Sequence, residues 1–159
     1  MTYFVLKYLH IVGAAVLMGT GAGIAFFMLM AHRSGDKHLI AGTARIVVIA
    51  DFVFTTTAVV LQPITGALLA WQAGYSLWEG WIVISILLYM LTGSFWLPVV
   101  GMQIKMRDYA IDAVTRQVEL PADYYRLFKW WFAFGFPAFG AVAAIFWLMI
   151  ARPYIPLWK

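Results

Sequence analysis

The sequence predicts an all-α integral membrane four-helix bundle, and three observations predict it. Four stretches, 11–31, 52–78, 80–104 and 130–151, carry no charged side chain, and the shortest is 21 residues long. About 20 apolar residues, rising about 1.5 Å each, cross a hydrocarbon core of about 30 Å. Second, 64% of the residues are hydrophobic and only 11% charged, a balance that excludes an ordinary soluble domain. Third, the basic residues cluster beside the uncharged stretches rather than within them. Four crossings in 159 residues make a single transmembrane domain, 1–159, with no room for a separate catalytic unit. Any chemistry must sit between helices or at an interface.

The first span is expected over 3–30, from Tyr3 to Met30. No basic segment precedes it and its apolar run exceeds the 7–15 residues or so of a signal-peptide core, so it reads as a retained helix. It carries Lys7 and His10 near its start, and Ala15, Gly19 and Gly23 form a small-xxx-small stripe. Such a stripe permits close helix approach, either within the chain or in a homodimer. His32 to His38 reads as a polar loop. The second helix begins near Thr43, spans the membrane over 45–71, and contains Asp51 and the pair Gln62-Pro63. The third span covers 81–103, Trp81 to Gln103, and Met106, Ile111 and Val114 at helical spacing carry it on into solvent. Pro121 suits the first position of the next helix. The fourth span covers 130–151, Trp130 to Ala151, before Pro153 and Pro156.

Orientation follows from the short connections. Arg33, Lys37, Arg45, Lys105, Arg107, Arg116, Arg126 and Lys129 lie on one side, against Lys7, Arg152 and Lys159 on the other. The positive-inside rule then puts both termini outside, in the periplasm, and both basic loops in the cytoplasm of a bacterial inner membrane. Aromatic belts are expected at the outer face (Tyr3, Trp71, Tyr75, Trp78, Trp81, Trp147, Tyr154, Trp158) and at the inner face (Tyr109, Tyr124, Tyr125, Trp130, Trp131). The basic loops suit anionic lipid headgroups, not nucleic acid. The absence of cysteine removes disulfides, thiolate metal sites and thiol nucleophiles.

Two side chains stand out as candidates. His10 lies about two turns inside the outer boundary, with Lys7 and Ala14 on its face and Gly13 beside them. An imidazole in hydrocarbon needs a partner. One reading is an interhelical hydrogen bond to Gln62 or Thr65. The other is an axial ligand of haem, with the small neighbours making room for the macrocycle. Asp51 is the acid well inside a span, and such acids face the bundle interior and pair. An ion pair with Arg45, Lys105, Arg126, Lys129 or His32, locking the second helix to the fourth, is the simpler expectation; a proton relay or polar ligand site is the alternative. Gln62-Pro63 breaks the ladder of the second helix and leaves carbonyls that need a donor. His32 and His38 lack a third ligand at zinc-like spacing and read as interfacial side chains. No Gly-x-Ser-x-Gly, glycine-rich phosphate loop or pair of acids is present.

Several motifs carry a resemblance. Leu6-Lys7-Tyr8-Leu9-His10, Ala31-His32-Arg33-Ser34-Gly35-Asp36, Leu61-Gln62-Pro63-Ile64-Thr65-Gly66, Trp96-Leu97-Pro98-Val99 and Arg126-Leu127-Phe128-Lys129-Trp130-Trp131-Phe132 resemble a bacterial family of four-helix integral membrane proteins of unknown function. More distantly, Leu6-Lys7-x-x-His10 is similar to the first helix of HemJ-type membrane protoporphyrinogen oxidases. That resemblance implies a b-type haem with His10 as axial ligand, alone or paired with His10 of a second subunit, and Lys7 near the propionates. The HemJ pattern also has a lysine and a Tyr-His pair on a later helix. Setting Trp81 against its tryptophan places Ser85 and Ser94-Phe95 there instead. Copper-resistance membrane proteins share a similar first-helix histidine, but their further His and Met pattern is missing. The expectation divides between a haem-b redox or electron-transfer protein and a non-enzymatic assembly, lipid-binding or transport-accessory subunit.

Overall fold

The computed structural model describes residues 2–157. Met1, Trp158 and Lys159, the last two counted above in the outer belt and the outer charge, lie outside the described residues. The chain forms α1 (Thr2–Ser34), α2 (Lys37–Ala50), a π-helical turn (Asp51–Thr55), α3 (Thr56–Gln72), α4 (Gly80–Thr115) and α5 (Ala122–Ala151). α2, the π turn and α3 run on as one rod, so four rods are long and apolar enough to cross a membrane.

The helices are longer than their uncharged stretches. His32, Arg33 and Ser34 finish α1 and Lys37 and His38 start α2, so the expected seven-residue loop shrinks to Gly35-Asp36. Local chemistry makes this tight connection. Gly35 takes φ +69°, a conformation without steric cost only for glycine. Asp36 caps α2, its Oδ1 accepting from the His38 amide at 2.8 Å. At the other end of the bundle Gly74, φ +76°, closes α3, with the Tyr75 amide returning to Ala70 O at 2.9 Å. α5 begins at Ala122 behind Pro121, eight residues ahead of the expected span. Proline without an amide hydrogen serves as the N-cap there, not as the first helical residue.

Packing is uneven along the bundle. The main core lies toward the loop end and joins Met28 of α1, Ile40 and Ala44 of α2, Met106 and Ala110 of α4, and Tyr124 and Phe128 of α5. Alanines at the contacts let backbones approach closely. A smaller cluster of Ala70, Trp81, Ile82 and Leu148 closes the end near the termini. Trp71, Trp78, Trp147 and Tyr154 are exposed toward one end, and Tyr125 and Trp130 toward the other. Three aromatic residues assigned to the belts are instead core: Trp81, Tyr124 and Trp131 are buried. Each has its polar atom engaged inside the protein, or stacks on a neighbour, so an interfacial position offers it nothing more. The stripe on α1 plays no comparable part within the chain. Ala15 and Gly19 are exposed, and a Cβ at Gly19 would meet nothing within 4 Å.

Candidate functional site: two intramembrane polar clusters

Asp51 opens the π turn, and its carbonyl accepts from the Thr56 amide five residues on. The run Thr55-Thr56-Thr57 explains why the ladder loosens here. Thr56 Oγ1 also donates to Asp51 O at 3.3 Å and Thr57 Oγ1 donates to Val53 O at 2.6 Å. Such back-bonding by β-branched hydroxyls competes with regular α geometry. The extra residue in the turn aims the carboxylate at α4. π turns of this kind are common at functional positions.

The Asp51 side chain is 3% exposed. Trp96 Nε1 donates to its Oδ1 at 3.2 Å. Gln103 Nε2 donates to its Oδ2 at 2.9 Å, in the amide orientation that satisfies both neighbours, and Gln103 Oε1 then accepts from Trp131 Nε1 at 3.2 Å. This chain of bonds ties α4 and α5 to the middle of the second rod. Thr55 lies beside the carboxylate, yet its buried Oγ1 meets hydrogen-bond geometry with no atom among the described residues.

The expected ion pair is therefore corrected. Among the described residues the ion pairs are Arg107–Asp108, Arg116–Asp112 and Arg126–Asp123, all toward solvent. Arg45 is exposed and six positions before Asp51, about 9 Å nearer the helix start at 1.5 Å per residue. Long basic side chains at span ends extend toward water and do not follow an acid inward. Neutral N–H donors from indole and amide take the role without burying a second charge. His32 is also elsewhere: its ring stacks on Phe128 with centroids 3.6 Å apart and its Nδ1 lies 3.3 Å from Tyr124 Oη. It packs α1 on α5 and is not a loop side chain.

The second cluster joins α1 to α3. His10 Nδ1 lies 2.8 Å from Thr65 Oγ1. The Thr65 hydroxyl is also 2.8 Å from Leu61 O, to which it donates its single proton. With that proton on Leu61 O the hydroxyl accepts from His10, in the tautomer that carries its proton on Nδ1 and its lone pair on Nε2. Gln62 Nε2 donates to His10 O at 2.8 Å. Of the two partners expected for the imidazole, the ring bonds Thr65, while Gln62 bonds the backbone carbonyl of His10 instead.

Glycines make the approach possible. A Cβ at Gly66 would stand 3.2 Å from His10 Cε1, and one at Gly13 would stand 2.5 Å from Gln62 Nε2. The Gln62 amide therefore fills the notch at Gly13, one of the small neighbours expected to admit a macrocycle, and the imidazole itself packs on Gly66. Lys7 projects outward, its Nζ 6.0 Å from the centre of the Tyr3 ring.

Sequence reasoning missed the α4 donors. Tyr89 Oη donates to Val59 O, the carbonyl that Pro63, four residues on, leaves without its amide. Tyr89, Trp96 and Gln103 are seven positions apart, so they form one stripe on α4 facing the second rod. That heptad spacing was the available signal.

No curated protein and no solved structure matches this chain. Residues 4–153 match the family described as predicted integral membrane protein, DUF2269. The match covers nearly the whole chain, all four membrane-length rods included. The chain belongs to that family of multi-pass membrane proteins, DUF2269.

Proposed function

We propose that this is a non-enzymatic subunit of the bacterial inner membrane, an assembly, lipid-binding or transport-accessory protein whose intramembrane polar groups hold its helices in register. One observation carries the reading: Asp51 and His10 are both engaged across rods by uncharged partners, Trp96, Gln103 and Thr65. A proton relay needs a second titratable group within reach. The side chains bonded to Asp51 do not supply one. The charge asymmetry of the loops supports an orientation with both termini in the periplasm and the basic end in the cytoplasm. The open face at Gly19 leaves room for a second copy of the chain.

A second reading keeps His10 as an axial ligand of haem b. It is favoured by the tautomer, because a proton on Nδ1 held by Thr65 leaves Nε2 as the nitrogen able to bind iron. Haem at that position would supply one-electron chemistry, and Lys7 would be the nearest cation for a propionate.

A single preparation separates the two. Protein purified from haem-supplemented cells is examined by reduced-minus-oxidised absorption and by thermal unfolding in detergent. The first reading predicts no b-type band and a lower Tm in both His10→Gln and Asp51→Asn. A near-stoichiometric band that disappears in His10→Ala replaces it with the second.

A further inference from the structure

At the basic end of the bundle α2 and the solvent-side continuation of α4 leave a groove of about 360 Å³ between them. His38, Gly42 and Arg45 line it from α2, and Ile111, Val114 and Thr115 from α4. His38, Gly42 and Arg45 follow one another at four- and three-residue steps, so they share one helix face. On the same stretch of α4 Asp108 pairs with Arg107 at 2.8 Å and Asp112 with Arg116 at 2.9 Å, and ahead of α2 the Asp36 carboxylate is engaged by the His38 amide at 2.8 Å. Arg45 has no ion pair among the described residues. The groove thus presents a permanent cation with five N–H donors and no resident anion.

Depth narrows the occupant. Ile111 lies six positions past Lys105, the first charge after the uncharged stretch of the third span. At 1.5 Å per residue that is about 9 Å beyond the hydrocarbon, the level of the headgroup layer. Toward the membrane centre the face of Arg45 continues through Ile49 and Phe52, four and seven positions on, 62% and 53% exposed. A charged seat at headgroup depth leading onto an apolar helix face fits a molecule with an anionic phosphate and an acyl chain.

We propose that this groove is a binding site for an anionic glycerophospholipid, the phosphate held by Arg45 and one acyl chain lying along Ile49 and Phe52. Arg45 forks onto two phosphate oxygens, and His38 adds a donor at the mouth. Gly42 keeps the floor open, since a Cβ there would meet nothing within 4 Å. The site is independent of whether the bundle carries haem.

The test is lipid titration of the full chain in neutral detergent, read by native mass spectrometry, with phosphatidylglycerol and phosphatidylcholine as probes. Wild type is expected to take up one phosphatidylglycerol in preference to phosphatidylcholine. Arg45→Gln is expected to lower phosphatidylglycerol affinity about tenfold, the size of one charge-assisted contact, and to leave phosphatidylcholine unchanged. Gly42→Leu puts a side chain into the groove from a position where the added Cβ meets nothing within 4 Å, and is expected to weaken both lipids. Arg45 and Gly42 are exposed, so an unchanged Tm in lipid-free detergent verifies folding of both variants. Equal phosphatidylglycerol affinity in wild type and Arg45→Gln overturns the site. Displacement of the lipid by glycerol 3-phosphate at equal concentration overturns the lipid assignment, because a soluble phosphate compound would then be the ligand.

Discussion

The indole of Trp96 donates to the carboxylate of Asp51 at 3.2 Å, across the gap between the third rod and the π turn of the second. Trp96 sits in the middle of its span, away from either aromatic belt, and this bond accounts for its place. With Tyr89 and Gln103 it forms a ladder of donors seven residues apart, each reaching an acceptor on the second rod. In hydrocarbon the acceptors have no water to fall back on, so side-chain donors determine where α4 docks.

Asp51→Asn should destabilise the bundle by about 1–3 kcal/mol, the cost of leaving one buried polar group unmatched. The asparagine oxygen still accepts from Trp96, but its amide nitrogen faces the Gln103 nitrogen. Turning the Gln103 amide to compensate sets its nitrogen against Trp131 Nε1. Reversible thermal or denaturant unfolding in detergent checks the value, and Arg45→Gln in the same assay should change stability by less than about 0.5 kcal/mol.

Two buried threonines should respond in opposite ways. Thr65 bridges His10 and Leu61 O, whereas Thr55 Oγ1, beside Asp51, meets hydrogen-bond geometry with no atom among the described residues. Thr65→Val is expected to cost about 1 kcal/mol, near the size measured for interhelical hydrogen bonds in membranes. Thr55→Val removes an unmatched hydroxyl and is expected to leave Tm unchanged or raise it. Loss of stability in Thr55→Val would show that its hydroxyl is bonded.

Gly13→Ala should displace the Gln62 amide, because the added carbon would stand 2.5 Å from Gln62 Nε2. The expected loss is about 1 kcal/mol, one hydrogen bond to His10 O. In a Gln62→Ala background the same substitution should cost nothing further. Equal costs in the two backgrounds would place the Gln62 side chain elsewhere.

Tyr89→Phe strips the donor from Val59 O and should destabilise by about 1 kcal/mol. Restoring the backbone amide with Pro63→Ala gives Val59 O a helical partner. The penalty of Tyr89→Phe should therefore shrink in the Pro63→Ala protein, measured as the difference in unfolding free energy between the paired variants.

The uncharged stretches were enough to read the four rods, because hydrocarbon forbids charge and demands internally satisfied backbone. Thr65 as a partner of the His10 ring was also legible, since it lies at matching depth on the next span, whereas the bond of Gln62 to the His10 backbone was not. The helix ends were not, because residues such as His32 and Lys37 are polar in any conformation and only the Gly35-Asp36 turn fixes their helical state. The partner of Asp51 was missed for a related reason. Depth matching favoured a basic residue, while the energetics of burying two charges favour neutral donors, the Trp96 indole and the Gln103 amide, that a search by charge passes over. The π turn needed the combined back-bonding of Thr56 and Thr57, which no periodicity announces.

A double-mutant cycle between Asp51→Leu and Trp96→Phe tests the neutral helix lock most directly, because leucine removes the acceptor at similar size, phenylalanine removes the N–H, and the cycle cancels the volume each substitution loses on its own. Unfolding free energies of the wild type, the two single variants and the double variant should give a coupling of about 0.6–1.7 kcal/mol. A coupling of zero at Trp96, with a comparable coupling appearing instead between Asp51 and Arg45, would restore the ion pair and contradict the account.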